Sequence, residues 1–470
     1  MAKNVSYPRV SVSRITVNSF SNGMKGVTAQ KKTDLSRASV IYNFDVSSGT
    51  LKSPHGVSNF KDYAVDNISG FEIDGIYSYI KYNETHSTFD EKVLVHAKDN
   101  GIYYSPVQGG EFKKIQGLNF KEKPSVIAYN YLDNDVLLLS TEKDGLYLLD
   151  GLAFTRIPNA PAVNSLCIHK ERLFATSAGE GKSLWFSDDF DPTNWEISLD
   201  EAGFIEFADE YGKLLKAVSF LDYVYVFREY GISRVVAEGD QESFYVDNLY
   251  GKHGKIVGSS ITDCGDFIVM LTSKGIYSFN GLSSSKILDE YDDFILGVEN
   301  ENCTGAFDGR TIYLAINIKI NGARERAVIT YDTETKTSCL LKGYSASDIA
   351  FFGGSVDRVL CCYNEENAVG VFDDSGTFLG KTPSRLWQSE FCNFGLANKV
   401  KNLTKISLQT TENCTLIVDS MDKTLIYTVK KGKVREFSPC LRSHSFKFTI
   451  KSSKAKTEIS SLSVSVEVVN

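Results

Sequence analysis

Two dense carboxylate groups, Asp188-Asp189-Phe190-Asp191 and Asp289-Glu290-Tyr291-Asp292-Asp293, are the residues of this 470-residue chain best placed for acid–base chemistry. Glycoside hydrolysis needs two carboxyl groups about 5 to 9 Å apart across a sugar, a separation that chain spacing does not supply. The first group could also hold a calcium ion, yet it lacks the alternating ligands and central glycine of a defined loop. Solvated inter-strand loops are the plainer reading of both. Gly181-Lys182-Ser183 invites a phosphate-binding loop, but position 176 is Thr where that loop needs Gly, and Leu184-Trp185-Phe186 reads as a strand where it needs a helix. The six His (55, 86, 96, 169, 253, 444) show no metal-ligand spacing, and no G-x-S-x-G presents a nucleophile. The nine Cys include no C-x-x-C and sit mostly in apolar runs such as Leu360-Cys361-Cys362-Tyr363, where a reduced thiol behaves as a small hydrophobe. The sequence therefore assigns no catalytic residue, no cofactor and no metal ligand, and it predicts a chain that is not an enzyme.

The elements around these residues are those of a β protein. Hydrophobic residues at 42% and charged residues at 23%, with 9 Pro and 36 Gly, exclude collagen-like and disordered classes. An aromatic content of 12% favours pleated sheets. The beginning of the chain lacks an apolar leader core, and no run of about 18 apolar residues follows, so the expectation is a chain made in a reducing cytosol without a membrane span. The net charge of −8 divides into three parts: +6 in residues 1–40, −22 in 41–380 and +8 in 381–470. Such alternation suggests ends that meet acidic surfaces in an assembly, with solvated charge as the simpler alternative.

Self-similarity sets the architecture. Gly101-Ile102-Tyr103-Tyr104 recurs as Gly145-Leu146-Tyr147-Leu148, Gly231-Ile232-Ser233-Arg234 and Gly275-Ile276-Tyr277-Ser278, at steps of 44, 86 and 44. Ser183-Leu184-Trp185-Phe186-Ser187 fills the double step. Within each unit, alternating apolar runs separated by Asn, Asp, Gly and Lys turns read as four short strands. Four strands every 40 to 45 residues is the pattern of a propeller blade, which is stable only against its neighbours. Counting from Phe71 gives seven units. The predicted fold is all-β: a basic arm over 1–40, a seven-bladed β-propeller over 41–381 with a closing strand at 41–45, and a C-terminal β-sandwich over 382–470, where strict alternation as in Leu462-Ser463-Val464-Ser465-Val466 replaces the repeat. Gly101, Gly145, Gly231 and Gly275 are expected to be equivalent turn residues at positive φ.

Four segments add a resemblance. They are Tyr42-Asn43-Phe44-Asp45 with Gly49-Thr50-Leu51-Lys52-Ser53-Pro54-His55-Gly56; Leu184-Trp185-Phe186-Ser187-Asp188 with Asp191-Pro192-Thr193-Asn194-Trp195; Phe267 through Gly275-Ile276-Tyr277-Ser278-Phe279-Asn280-Gly281; and Leu386-Trp387-Gln388-Ser389 with Asn393-Phe394-Gly395 and Lys399. In this order, over 41–470, they resemble the β-propeller tail-hub or nozzle proteins of tailed bacteriophages, including the packaged-DNA stabilisation proteins of short-tailed phages. The family joins Pro directly to Gly where this chain inserts His55. The residues that carry the likeness most closely are Trp185, Asp188, Asp191, Pro192, Trp195 and Trp387. The resemblance implies a virion structural protein made in the host cytoplasm: a ring, most simply of six copies, in the tail below the portal and adaptor complex. Tail fibres or spikes would be its neighbours, and packaged DNA would be held back by the ring and ejected through it. Two other readings stay open: a glycan-binding propeller that uses Trp185 and Trp195 as stacking platforms, and a propeller glycosidase that uses Asp189 and Asp191.

Overall fold

A computed structural model describes residues 12–17, 19–24, 35, 37–60, 72–107, 111–177, 181–197, 201–239, 241–249, 251, 253–363, 368–396 and 398–468. Among them the strands form nine sheets, seven of four strands, one of six and one of five. The only α-helix among the described residues is the single turn Asp292–Ile295. Contacts divide the chain into two compact units, Met1–Val57 with Ile329–Gly343 and Asp373–Asn470, and Ser58–Val328 with Tyr344–Phe372.

The seven four-stranded sheets are the blades of a β-propeller, six of them meanders of consecutive strands and the seventh taking its fourth strand from earlier in the chain. Blade two is typical, with Ser125–Tyr131, Asn134–Thr141, Gly145–Asp150 and Ala153–Ile157 in sequence order. Its second strand, Asn-Asp-Val-Leu-Leu-Leu-Ser-Thr, is buried from Val136 onward, because in this architecture both faces of a central strand are covered by neighbouring blades. Apolar side chains join successive blades. Tyr79, Leu94 and Ile102 of blade one meet Leu137, Leu139 and Leu149 of blade two, and Val224 and Val226 of blade four meet Phe174 and Leu184 of blade three. Ile73, Val93 and Val95 of blade one close the ring against Phe352, Leu360 and Val369 of blade seven. At roughly 25 cal/mol per Å² of apolar surface, these inter-blade faces hold the propeller together. In blade five the innermost strand is only Thr262–Asp263, since Gly258–Ser260 ahead of it is a turn of 3-10 helix.

The closing strand differs from the one predicted at 41–45. Blade seven is completed by Gly56–Asn59, which lies beside Ala368–Asp373 as its outermost strand. Phe60 N–H then donates to Val369 O at 2.9 Å. Ala38–Tyr42 instead pairs antiparallel with Arg385–Ser389, setting Ile41 opposite Trp387. Asn43, at φ 56°, ends that strand. The more apolar segment was thus claimed by the tryptophan-bearing strand of another sheet.

The remaining two sheets form the β-sandwich. One runs Val12–Val17, Glu458–Val468, Lys401–Thr410, Arg435–Phe437, with Leu51–Lys52 and Leu441–Ser443 as short additions. The other runs Ala38–Tyr42, Arg385–Ser389, Lys447–Ser452, Cys414–Asp419, Thr424–Val429. Leu462, Val464 and Val466 are fully buried on alternate positions of the last strand, as are Leu403, Ile406 and Leu408 opposite. The arm predicted over 1–40 is therefore partly sheet: Val12–Val17 pairs with Glu467 back to Leu462. Residues 1–11, 18, 25–34 and 36 of it lie outside the described residues.

Candidate functional site

The string 184–195 folds as one knitted corner in blade three. Asp188 N–H donates to Asn194 O at 3.1 Å, and Asn194 Nδ2 donates back to Asp188 Oδ2 at 2.8 Å. Asp191 Oδ1 accepts from Thr193 N–H at 2.9 Å and Thr193 Oγ1 at 2.6 Å, the short-range bonding that favours Asp at turns. Trp195 is buried with its indole N–H on Pro192 O at 2.9 Å. Trp185 is half-buried, its ring 4.9 Å from that of Phe204. Asp189 lies 2.8 Å from the Arg172 guanidinium, which also grips Glu201 at 2.7 Å. Burial raises the Asp189 carboxyl above its ordinary range, a shift that the nearby Arg172 opposes. All these residues are engaged with one another: Trp195 has no exposed face on which a sugar could stack, and Asp191 is committed to its own turn. The second acidic group behaves likewise, with buried Asp292 paired to Lys286.

The turn glycines divide. Gly145 and Gly275 take φ of +90° and +116°, as expected. Gly101 and Gly231 are absent from the positive-φ region; at the first, the left-handed residue is Asn100, at φ 68°. Gly231 is needed for space, since a Cβ there would lie 2.5 Å from Cδ2 of Tyr211. The four positions are equivalent in sequence but not in backbone.

A cleft of about 580 Å³ in the propeller went unseen by sequence reasoning; Glu72, Asp74, Lys98, Lys123, Glu301 and Arg326 bring charge to its wall. Asp348, on the innermost strand of blade seven, accepts from Ile76 N–H at 3.0 Å and Thr304 Oγ1 at 2.7 Å, and pairs with Lys123 at 2.7 Å. One carboxylate thus ties blades one and six and the segment leading into blade two. Asp74 pairs with His96 Nδ1 at 2.5 Å and Lys98 at 3.1 Å, while His96 Nε2 meets Phe120 O at 2.9 Å. Burial would raise the Asp74 carboxyl, but its hydrogen bonds and charge contacts with His96 and Lys98 prevail and lower it. Arg326 is held by backbone oxygens, Nε on Ala346 O at 2.8 Å and Nη2 on Asn302 O at 2.7 Å. These residues come from distant parts of the chain at no fixed spacing, so no local pattern could have announced them.

Among the described residues, no three His, Cys, Asp or Glu side chains gather as a metal site, and no helix is long and apolar enough to cross a membrane. None of the nine cysteines is joined in a disulfide among the described residues, and Cys440 alone is exposed. Burial pushes the thiols of Cys167, Cys264 and Cys361 up to about 12.

No family model and no curated protein matches the chain. Solved structures do. BBS1N, from a complex with ARL6DN, is 11% identical at a TM-score of 0.41, covering 64% of this chain and 92% of its own. The oligogalacturonate lyase of Vibrio parahaemolyticus is 11% identical at a TM-score of 0.41, covering 71% of this chain and 96% of its own. The lyase is an enzyme by name, so the expectation that this chain is not an enzyme does not stand on these comparisons.

Proposed function

We propose that this chain is a structural protein of a phage virion, the hub or nozzle ring of the tail. It sits below the portal and adaptor complex, with fibres or spikes as neighbours, retains packaged DNA and forms part of the channel through which DNA leaves. The observation that carries the reading is that the segments of the resemblance all serve as framework here. Asn43 Nδ2 donates to Lys342 O at 3.0 Å and Ser384 O at 2.7 Å, while its Oδ1 accepts from Lys342 N–H at 2.9 Å. The corner 184–195 is knitted by its own side chains. Gly275 opens the third strand of blade five. Trp387 is buried, with Phe20 edge-on at 5.5 Å. A resemblance that lies in framework residues is a resemblance of whole architecture, blades and sandwich together.

Charge agrees with this role. DNA carries one negative charge per roughly 1.7 Å of axis, so an acidic propeller repels it and lets it slide. The test is disruption of the gene in the phage that encodes the chain. The expected outcome is heads that fill with DNA and then lose it; disrupted particles that keep their genomes and infect normally would contradict the proposal.

A further inference from the structure

Two leucines on the propeller stand where glycine or asparagine belongs. Leu132-Asp133 and Leu221-Asp222 are the two-residue turns between the first and second strands of blades two and four. All four residues are left-handed, with φ of 50°, 61°, 48° and 61°. Such turns favour Asn-Gly, because a bulky side chain at positive φ is strained. Phe190, in the corner of blade three, is also left-handed, at φ 55°. None of the three is repaid by burial: Leu132, Leu221 and Phe190 are 76%, 56% and 70% exposed. Strain of this kind gathers at functional positions.

These residues share one face. In a four-stranded meander the turn between strands one and two and the turn between strands three and four lie at the same end of the blade. Contacts bear this out. Phe190 N–H donates to Glu171 O at 2.9 Å, Tyr225 Oη donates to Gly281 O at 3.0 Å, and Lys170 pairs with Glu238 at 3.2 Å. A Cβ at Gly281 would lie 3.0 Å from Leu221 Cδ1, so Leu221 borders Leu282, itself 76% exposed. The face is apolar at its tips and acidic beside them, with Asp133 and Asp222 exposed.

The complementary surface is on the sandwich. Thr424–Val429 is the terminal strand of its five-stranded sheet, and Ile426 and Met421 near it are 68% and 73% exposed. Lys430, Lys431, Lys433 and Arg435 follow, all exposed and none in an ion pair among the described residues. Edge strands left apolar and open invite a partner.

We infer that the leucine-tipped face of the propeller docks the basic sandwich edge of a second copy of this chain. The contact is heterologous, which is what a ring requires. Apolar tips meet Ile426 and Met421, and the carboxylates meet the lysines, which set the register. The inference rests on the ring reading above and names its surfaces.

The test uses the full chain, mixed from normal and 15N-labelled preparations and treated with a carbodiimide, which joins carboxylate to amine as an amide. Mixed-isotope links from Asp133 or Asp222 to Lys430, Lys431 or Lys433, suppressed by salt, are expected. The double variant L132N/L221N is expected to melt no lower than the parent, because Asn accepts left-handed φ, while its links fall about tenfold. No mixed-isotope links, mixed links joining other surfaces, or a lower melting temperature for the double variant would overturn the inference. Gene disruption reports separately: a genome-retention defect without these links would leave the tail role standing and these surfaces wrong.

Discussion

Arg228 shows how single residues hold this propeller. It has no exposed side-chain surface, lies between the rings of Phe207 at 5.1 Å and Tyr211 at 5.4 Å, and pairs with Asp209 at 2.5 Å. The adjoining guanidinium holds the Asp209 carboxyl below its ordinary range despite partial burial. D209N leaves a buried cation without a counter-ion, at a cost near the lower end of about 3 to 5 kcal/mol, since the carboxylate keeps some contact with water. Urea unfolding measures it; a change under about 1 kcal/mol would show that the aromatic rings alone suffice. His253 makes the opposite case, a titratable group buried without a hydrogen-bond partner on either ring nitrogen among the described residues. Burial lowers its pKa from 6.5. The unfolded chain therefore takes up this proton first as pH falls below about 6.5, and stability drops from there toward the folded pKa. H253F removes this proton uptake, so its melting temperature is expected to fall less steeply than the parent's between pH 7 and 5. Parallel curves would contradict that assignment.

At the scale of elements, the glycines separate backbone strain from crowding. Asn accepts the left-handed backbone of Gly145, and its Cβ would meet only the flexible end of Arg156 at 3.3 Å. At Gly231 the same Cβ would strike the Tyr211 ring. G145N is expected to cost under about 1 kcal/mol and G231N at least twice that in urea unfolding; equal costs would restore the equivalence that the repeat suggested. That repeat was legible because each blade carries its own hairpin, Leu132-Asp133 between alternating runs being one, so a local pattern carries the local fold. The closing strand was not. Gly56-Val57-Ser58-Asn59 is short and weakly patterned, and its place depends on an edge supplied by residues some 310 positions later. The 184–195 corner was legible as a motif, but not that Trp195 turns inward. The charged cleft was invisible, because Asp348, Lys123 and Thr304 meet only when the ring closes.

For the whole molecule, charge follows the architecture: acidic over 41–380, basic at both ends. Both basic ends contribute strands to one sandwich sheet, Val12–Val17 and Glu458–Val468. Deleting residues 1–40 removes that edge strand and most of Ala38–Tyr42, so the variant is expected to melt lower and to enter particles poorly, even though the blade strands are intact. Normal incorporation with an unchanged melting temperature would show that neither strand matters for assembly. The proposed placement in a tail ring is open to direct observation by cryo-electron microscopy of particles that carry this chain. It predicts a symmetric ring, six copies being the simplest, of seven-bladed propellers with their sandwiches below the portal and adaptor. A tail reconstruction with no such propeller at that level would contradict it.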